Sequence, residues 1–246
     1  MPAREFSVSE MARRTPRTPS PAAPPKPKPA PKSPRRLWRK TWLWTLLAFA
    51  VVTAGYLGYE YWRLHRYDAL IAKVAASYGF DAQLIRAVVH EESYFNPRAR
   101  SRANAVGLMQ ITPIVITEWT NVTGRDADPK SFSKAWASRA PDLSPTEAAK
   151  LSDAELLMVP EINLHMGCWY LSQLRRRFSS ESLRLPMMLA GYNAGPSQAE
   201  RWRATGARAS SAMAEDAYLR AIDYPETQGY VRRILARYRE TERSAP

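Results

Sequence analysis

Residues 82–113 read AQLIRAVVHEESYFNPRARSRANAVGLMQITP, and the first part of this stretch has the pattern of a helix that carries an acid. Leu84, Ile85, Val88 and Val89 recur at helical spacing. At about 100° per residue their mean direction lies about 70° from Leu84, and Glu92 falls at about 80°. Glu92 therefore sits in the middle of the apolar stripe, with Glu91 at its edge. A carboxylate centred on a buried face is costly unless it is protonated, paired or used. Two readings follow: a structural partner for Glu92, or a functional proton. Asp81 is the expected N-cap, Phe80 is placed to staple onto Ile85, and Asn96-Pro97 is the expected stop.

The remainder of the stretch discriminates between the readings. Glu92-Ser93, Ser101, Ala105, Gly107-Leu108-Met109-Gln110 and Pro113 resemble the first two motifs of the soluble lytic transglycosylase family, enzymes that cut bacterial peptidoglycan on a lysozyme-like fold. Two further blocks occur downstream in the family's order. Gly191-Tyr192-Asn193-Ala194-Gly195-Pro196 is similar to the Tyr-Asn-Ala-Gly motif. Tyr224-Pro225-Glu226-Thr227 with Tyr230-Val231 is similar to the last block. Pro160, Asn163, Gly167 and Tyr170-Leu171 resemble a further helical block, in which the family's Asp is replaced by Val159. The resemblance spans about residues 67–238 and leaves the N-terminal quarter unaccounted for.

The resemblance implies a site. Glu92 stands at the family's catalytic position, acting first as acid and then as base toward the muramic-acid 6-hydroxyl of the substrate, so that no second carboxylate is needed. Tyr192 is implied to hydrogen-bond the catalytic carboxyl or the reacting sugar, or else to be a packed aromatic. Met109 and Gln110 resemble the floor of the glycan groove, and Gly107 is expected to give the backbone room there. Asn193 is expected to hold its loop by local backbone bonds. Ser93 is expected to steady the helix end or the sugar. Glu226 is expected either to tune Glu92 electrostatically or to form an ion pair. Asn104 replaces a family Gly and can adopt its left-handed backbone. The resemblance implies no metal and no organic cofactor.

The formal net charge is +13, unevenly placed. Residues 1–40 contribute +9, residues 41–59 carry no charge, and residues 60–246 contribute +4. The basic balance belongs mostly to the tail, and no nucleic-acid partner is expected. The one cysteine, Cys168, excludes an intrachain disulfide and reads as a small packing residue. His90-Glu91 does not extend to a zinc helix, because position 94 is Tyr.

Residues 1–36 hold ten of the twenty prolines, and a disordered, basic, Pro-rich cytoplasmic tail over 1–40 is expected. It reads as a charged tether or as a docking site for a Pro-binding module in an envelope complex. TWLWTLLAFAVVTAGYLGY, residues 41–59, is long enough to cross a bilayer and has aromatic belts at both ends. Basic residues on its N-terminal side place the tail inside and the remainder, 60–246, in the periplasm, with the segment an uncleaved inner-membrane anchor rather than a signal peptide.

A helix is expected over Glu60–Tyr78, ended by Gly79. The stretch from Pro113 to Pro160 exceeds the family's usual spacing. It carries turn signals at Gly124-Arg125-Asp126 and Asp128-Pro129, and a capping box at Ser144–Glu147 that predicts a short inserted helix. This insertion lines the glycan groove or merely elaborates the surface. Helices are expected over Glu161–Phe178, Leu185–Tyr192 and Glu226–Arg239, with Arg175-Arg176-Arg177 a solvated helix end or a contact to glycan peptides. No strand alternation is evident, so the class is all-α: a lysozyme-like transglycosylase domain behind a single membrane helix.

Three functions fit these residues. The first is a membrane-anchored peptidoglycan lytic transglycosylase acting on glycan strands. The second is a hydrolase of goose-lysozyme type. The third is a non-catalytic wall-binding component of an envelope complex.

Overall fold

The computed structural model describes residues 34–123, 144–148, 150–180, 182–206 and 214–244. The tail over 1–33, the turn signals at 124–129 and the segment 207–213 lie outside them. The chain divides into two units, residues 1–53 and 54–246.

In the first unit the described backbone is helical. It belongs to α1 (Pro34–His65), whose run from Thr41 is the one helix among the described residues long and apolar enough to cross a membrane. Trp42, Trp44, Leu46 and Phe49 expose more than half of their surface, as expected of side chains with no protein to pack against.

In the second unit the described regular elements are helices joined by loops, of which 94–112 is the longest described. After the end of α1 come α2 (Asp68–Ser77), α3 (Ala82–Ser93), α4 (Pro113–Thr123), α5 (Pro145–Ala148) and α6 (Asp153–Leu156). They are followed by α7 (Pro160–Arg177), α8 (Arg184–Ala194), α9 (Pro196–Gly206), α10 (Ala214–Ala221) and α11 (Pro225–Ser244). The all-α, lysozyme-like class expected from the sequence is the observed one, and the β-type pairing is limited to isolated antiparallel bridges, Arg100 with Val106 and Val106 with Ile111.

α7 is the central helix. Every residue from Glu161 to Cys168 is buried, and so are Tyr170, Leu171, Ser172 and Leu174. A helix covered on all sides must lie inside its domain. α2 and α8 pack on α7, α3 packs on α2 and α11, and α11 packs on α8. Gly167 is where α7 meets the 107–111 loop, since a Cβ there would overlap the Met109 side chain. Cys168 is fully buried, and burial pushes its thiol up to about 12.

Several local expectations are refined. The 60–78 helix is two helices, α1 and α2, separated by a turn at Arg66-Tyr67. The Gly79 end is as expected, with φ +64° and Phe80 N–H donating to Ala75 O at 3.0 Å in a Schellman arrangement. α3 stops at Ser93, before Asn96-Pro97. Tyr94 and Phe95 both take positive φ, 51° and 60°, which turns Phe95 back into the core. Of the 175–177 arginines, Arg176 and Arg177 are exposed at the helix end, as the solvated reading expects, while Arg175 is drawn into the fold. Arg175 donates to Gly79 O and Tyr78 O, both at 2.6 Å, and lies over the Phe80 ring, while Arg177 pairs with Glu200 at 2.7 Å. α5 begins at Pro145 behind the reciprocal Ser144–Glu147 bonds. A second capping box at Ser152–Glu155 starts α6 and was not anticipated. α4, α9 and α10 were not anticipated either.

Candidate active site

The site is built where the end of α3 meets the 107–110 loop and α11. Asp81 caps α3 by accepting from Gln83 N–H at 2.8 Å, and Leu84, Ile85, Ala87, Val88 and Val89 fix its inner face. The stripe carries Glu92 inward at the helix's last turn. Its carboxylate is densely surrounded but keeps some accessible surface. Tyr230 O–H donates to Glu92 Oε1 at 2.6 Å. Burial, set against that hydrogen bond and reinforced by the negative charge of Glu91, pushes the Glu92 carboxyl up to about 7.

Adjacent Glu91 is held differently. Arg233 approaches Glu91 Oε1 at 2.6 Å, and the Glu91 side chain is only 14% exposed. No cation pairs with Glu92 among the described residues. Two neighbouring carboxyls thus differ in kind, one paired with a guanidinium and one raised to about 7 by burial.

Behind Glu92 the loop Gly107–Gln110 is fastened from three sides. Ser93 Oγ donates to Leu108 O at 2.8 Å. Tyr192 O–H donates to Met109 O at 2.7 Å. Asn163, fully buried, accepts from Met109 N–H at 2.7 Å and donates to Val106 O and Leu157 O, each at 2.8 Å. Gly107, at φ +85°, is required because a Cβ there would overlap Asn163 and the Leu157 carbonyl. Gln110, at φ 48°, donates through its side-chain amide to Gly107 O at 3.0 Å and Ala99 O at 3.2 Å.

These positions alter several expected contacts. Tyr192 does not bond Glu92 but the loop carbonyl, and burial and the nearby Glu92 charge raise its hydroxyl well above the ordinary value, so it stays a donor. Met109 is a core side chain, 0% exposed, so its backbone rather than its thioether belongs to the site. Gly107 makes room for Asn163 in place of a glycan. Asn193 accepts from Thr227 Oγ1 at 2.7 Å, tying α8 to α11 rather than closing its own loop. Glu226 is exposed, and its charge acts on Arg233, not on Glu92. Asn104 takes the left-handed backbone expected of it, φ 58°.

Tyr230 and Asn163 have roles that sequence reasoning missed. Tyr230, Val231, Ile234 and Leu235 form the buried stripe of α11, so the helical period alone would have aimed Tyr230 inward. Asn163 is an amide on the most deeply buried stretch of α7, the pattern of a buried polar group with a dedicated set of partners.

Beside this centre, the described end of the 114–159 insertion meets the loop. Asp153, Ala154 and Leu157 face Arg100, Ser101 and Asn104 across a cleft of about 310 Å³, which Glu92 does not line.

Residues 69–131 and 140–213 match the Transglycosylase SLT domain, more than half of the 246-residue chain. The chain belongs to the SLT transglycosylase domain family. It is 28% identical over 170 residues to the soluble lytic murein transglycosylase of Escherichia coli K12, covering 69% of this chain and 22% of that protein. It is 34% identical over 138 residues to the membrane-bound lytic murein transglycosylase F of Desulfosudis oleivorans, covering 55% and 23%. Its fold is similar to a solved inactive mutant of the lytic transglycosylase Slt from Pseudomonas aeruginosa. That match has a TM-score of 0.54 and 24% identity, and it covers 74% of this chain and 25% of the other. The chain spans about a fifth to a quarter of the length of these relatives.

Proposed function

We propose that residues 60–246 form a peptidoglycan lytic transglycosylase, cleaving the β-1,4 bond between N-acetylmuramic acid and N-acetylglucosamine and leaving a 1,6-anhydro-muramic end. The observation that carries this reading is Glu92: a carboxyl pushed to about 7, with a hydroxyl donor at 2.6 Å and no paired cation among the described residues. Such a group holds a proton near neutrality and can give it up.

In the first step Glu92 transfers its proton to the glycosidic oxygen as that bond to C1 breaks and oxocarbenium character develops. In the second, the Glu92 carboxylate takes the proton of the muramic 6-hydroxyl as that oxygen bonds C1. The acid is thereby restored, and no water is consumed. The intramolecular nucleophile supplies the proximity that another enzyme would obtain from a second carboxylate. Glu91, the nearest acid in sequence, is occupied by Arg233, which supports a one-acid route over a two-carboxylate hydrolase. Tyr230 supports the ionised form between the two steps. Tyr192, Ser93, Asn163 and Gly107 set the loop whose 107–110 backbone borders the substrate, with Gln110 on its outer side. The reaction as written requires no metal or organic cofactor.

Names of relatives that include membrane-bound transglycosylases, together with the exposed apolar run of α1, support an inner-membrane anchor with the domain on the periplasmic side. The 1–40 tail is then available to an envelope partner in the cytoplasm.

The test is product analysis on purified sacculi with wild-type protein and Glu92→Gln. Anhydro-ended muropeptides from the wild type, and none from a folded Glu92→Gln variant, are expected. Reducing ends would assign the hydrolase instead, and binding without release would assign a wall-binding role.

A further inference from the structure

The turn after the catalytic helix is ringed by arginines. Arg63 lies over the Tyr94 ring at 4.0 Å, Arg66 donates to Phe95 O at 2.9 Å, and Arg86 lies over the Phe95 ring at 5.3 Å. His90 packs edge-on against Tyr94 and Phe95, at 4.7 and 6.0 Å between ring centres. Burial, reinforced by positive charge from Arg237, Arg86 and Arg63 and opposed by Glu91, lowers that imidazole to about 4. Arg63, Arg66, Arg86 and this histidine therefore surround one short segment, and the Arg237 charge reaches it through His90.

Their charges are not balanced. Glu60 pairs with Arg63 at 2.6 Å, and Asp68 pairs with Arg86 at 3.0 Å. Glu91 is taken by Arg233. Arg66 and Arg237 have no carboxylate among the described residues, and the Arg237 side chain has no hydrogen bond there at all. Among the described residues, the enclosed side-chain polar atoms that lack a hydrogen-bond partner are Arg63 Nε, Arg66 Nε, His90 Nδ1 and Arg237 Nε. Like charges gathered in one place are unfavourable on their own, and an anion spanning their outer nitrogens offsets that repulsion.

We propose that Arg63, Arg66, Arg86 and Arg237 form a binding site for a phosphate-bearing anion. Guanidinium forks suit phosphate oxygens in pairs, which favours this class over a chloride or a single carboxylate. The source favoured by position is a phospholipid headgroup. Arg63 stands four residues beyond Tyr59, where the uncharged run of α1 ends, and Arg66 is sandwiched by Trp62 at 4.6 Å and Tyr67 at 4.7 Å. Amphipathic aromatics and arginines at the end of an apolar helix are the groups that meet headgroups. This site is separate from the glycan chemistry and does not depend on it.

The experiment is calorimetric titration of the full chain in a zwitterionic detergent, with inorganic phosphate in one arm and dihexanoyl phosphatidylglycerol in the other. Binding of the lipid in preference to phosphate is expected, weakened about ten-fold by Arg66→Gln and by Arg237→Gln and unchanged by Arg184→Gln on α8. Equal binding of both ligands with the same arginine dependence would also support the site, with free phosphate as its source. Arg66→Gln removes the bond to Phe95 O and so perturbs the turn. Arg237→Gln breaks no bond and keeps the test decisive if the other variant unfolds. Binding of neither ligand, or binding indifferent to both substitutions, overturns the proposal.

Discussion

Glu92 and Tyr230 together set how the proposed acid responds to pH. A donor aimed at a carboxylate stabilises the ionised form and lowers its pKa, while burial raises it. In this site burial wins, with the carboxyl at about 7. The proton available for the first step is therefore present below that value and lost as pH rises through it. Tyr230→Phe removes the stabiliser of the charged form, so the Glu92 pKa rises further. The alkaline limb of the pH–rate profile on peptidoglycan is expected to move upward by about one unit. An unmoved or downward-shifted limb would remove Tyr230 from this role.

At the scale of elements, one side chain on α7 carries the loop. Asn163 fills its amide with Met109 N–H, Val106 O and Leu157 O, all buried. Asn163→Leu keeps the branched shape, in a slightly larger side chain, and orphans these three backbone groups. A loss of about 3 kcal/mol and a fall in Tm on the order of 10 °C are expected by circular dichroism. An unchanged Tm would mean that the loop finds other partners.

This element also shows what the sequence could reveal. The α3 stripe placed Glu92 correctly, because helical periodicity is local and its apolar positions are unambiguous. The end of α3 was misplaced because Tyr94 and Phe95, not the proline, break the helix. Nothing local announces that two aromatic residues will take left-handed backbone; burial of Phe95 decides it. Tyr192 and Tyr230 are both inward-facing tyrosines on matched blocks. Which of them reaches the acid depends on how α8 and α11 pack, a long-range fact without a local pattern. Arg175 and Arg177 likewise found partners 96 and 23 residues away in the chain.

For the whole molecule, charge and hydropathy divide the chain more sharply than packing does. Residues 1–40 hold +9, and the following nineteen residues hold none. Full-length protein is expected in the membrane pellet after cell fractionation, resistant to high salt. A chain beginning at Glu60 is expected in the soluble fraction while still cutting sacculi. Soluble full-length protein would remove the anchor from the proposal without touching the site.

Cys168 has a consequence of a different kind. The chain's single thiol is sealed in α7 and held protonated far above physiological pH. Its thiolate fraction is negligible, so it offers no nucleophile to attack the disulfide of an oxidising catalyst. Two copies cannot be crosslinked through it, and a cysteine introduced on the surface would be the lone reactive handle for a fluorophore or spin label.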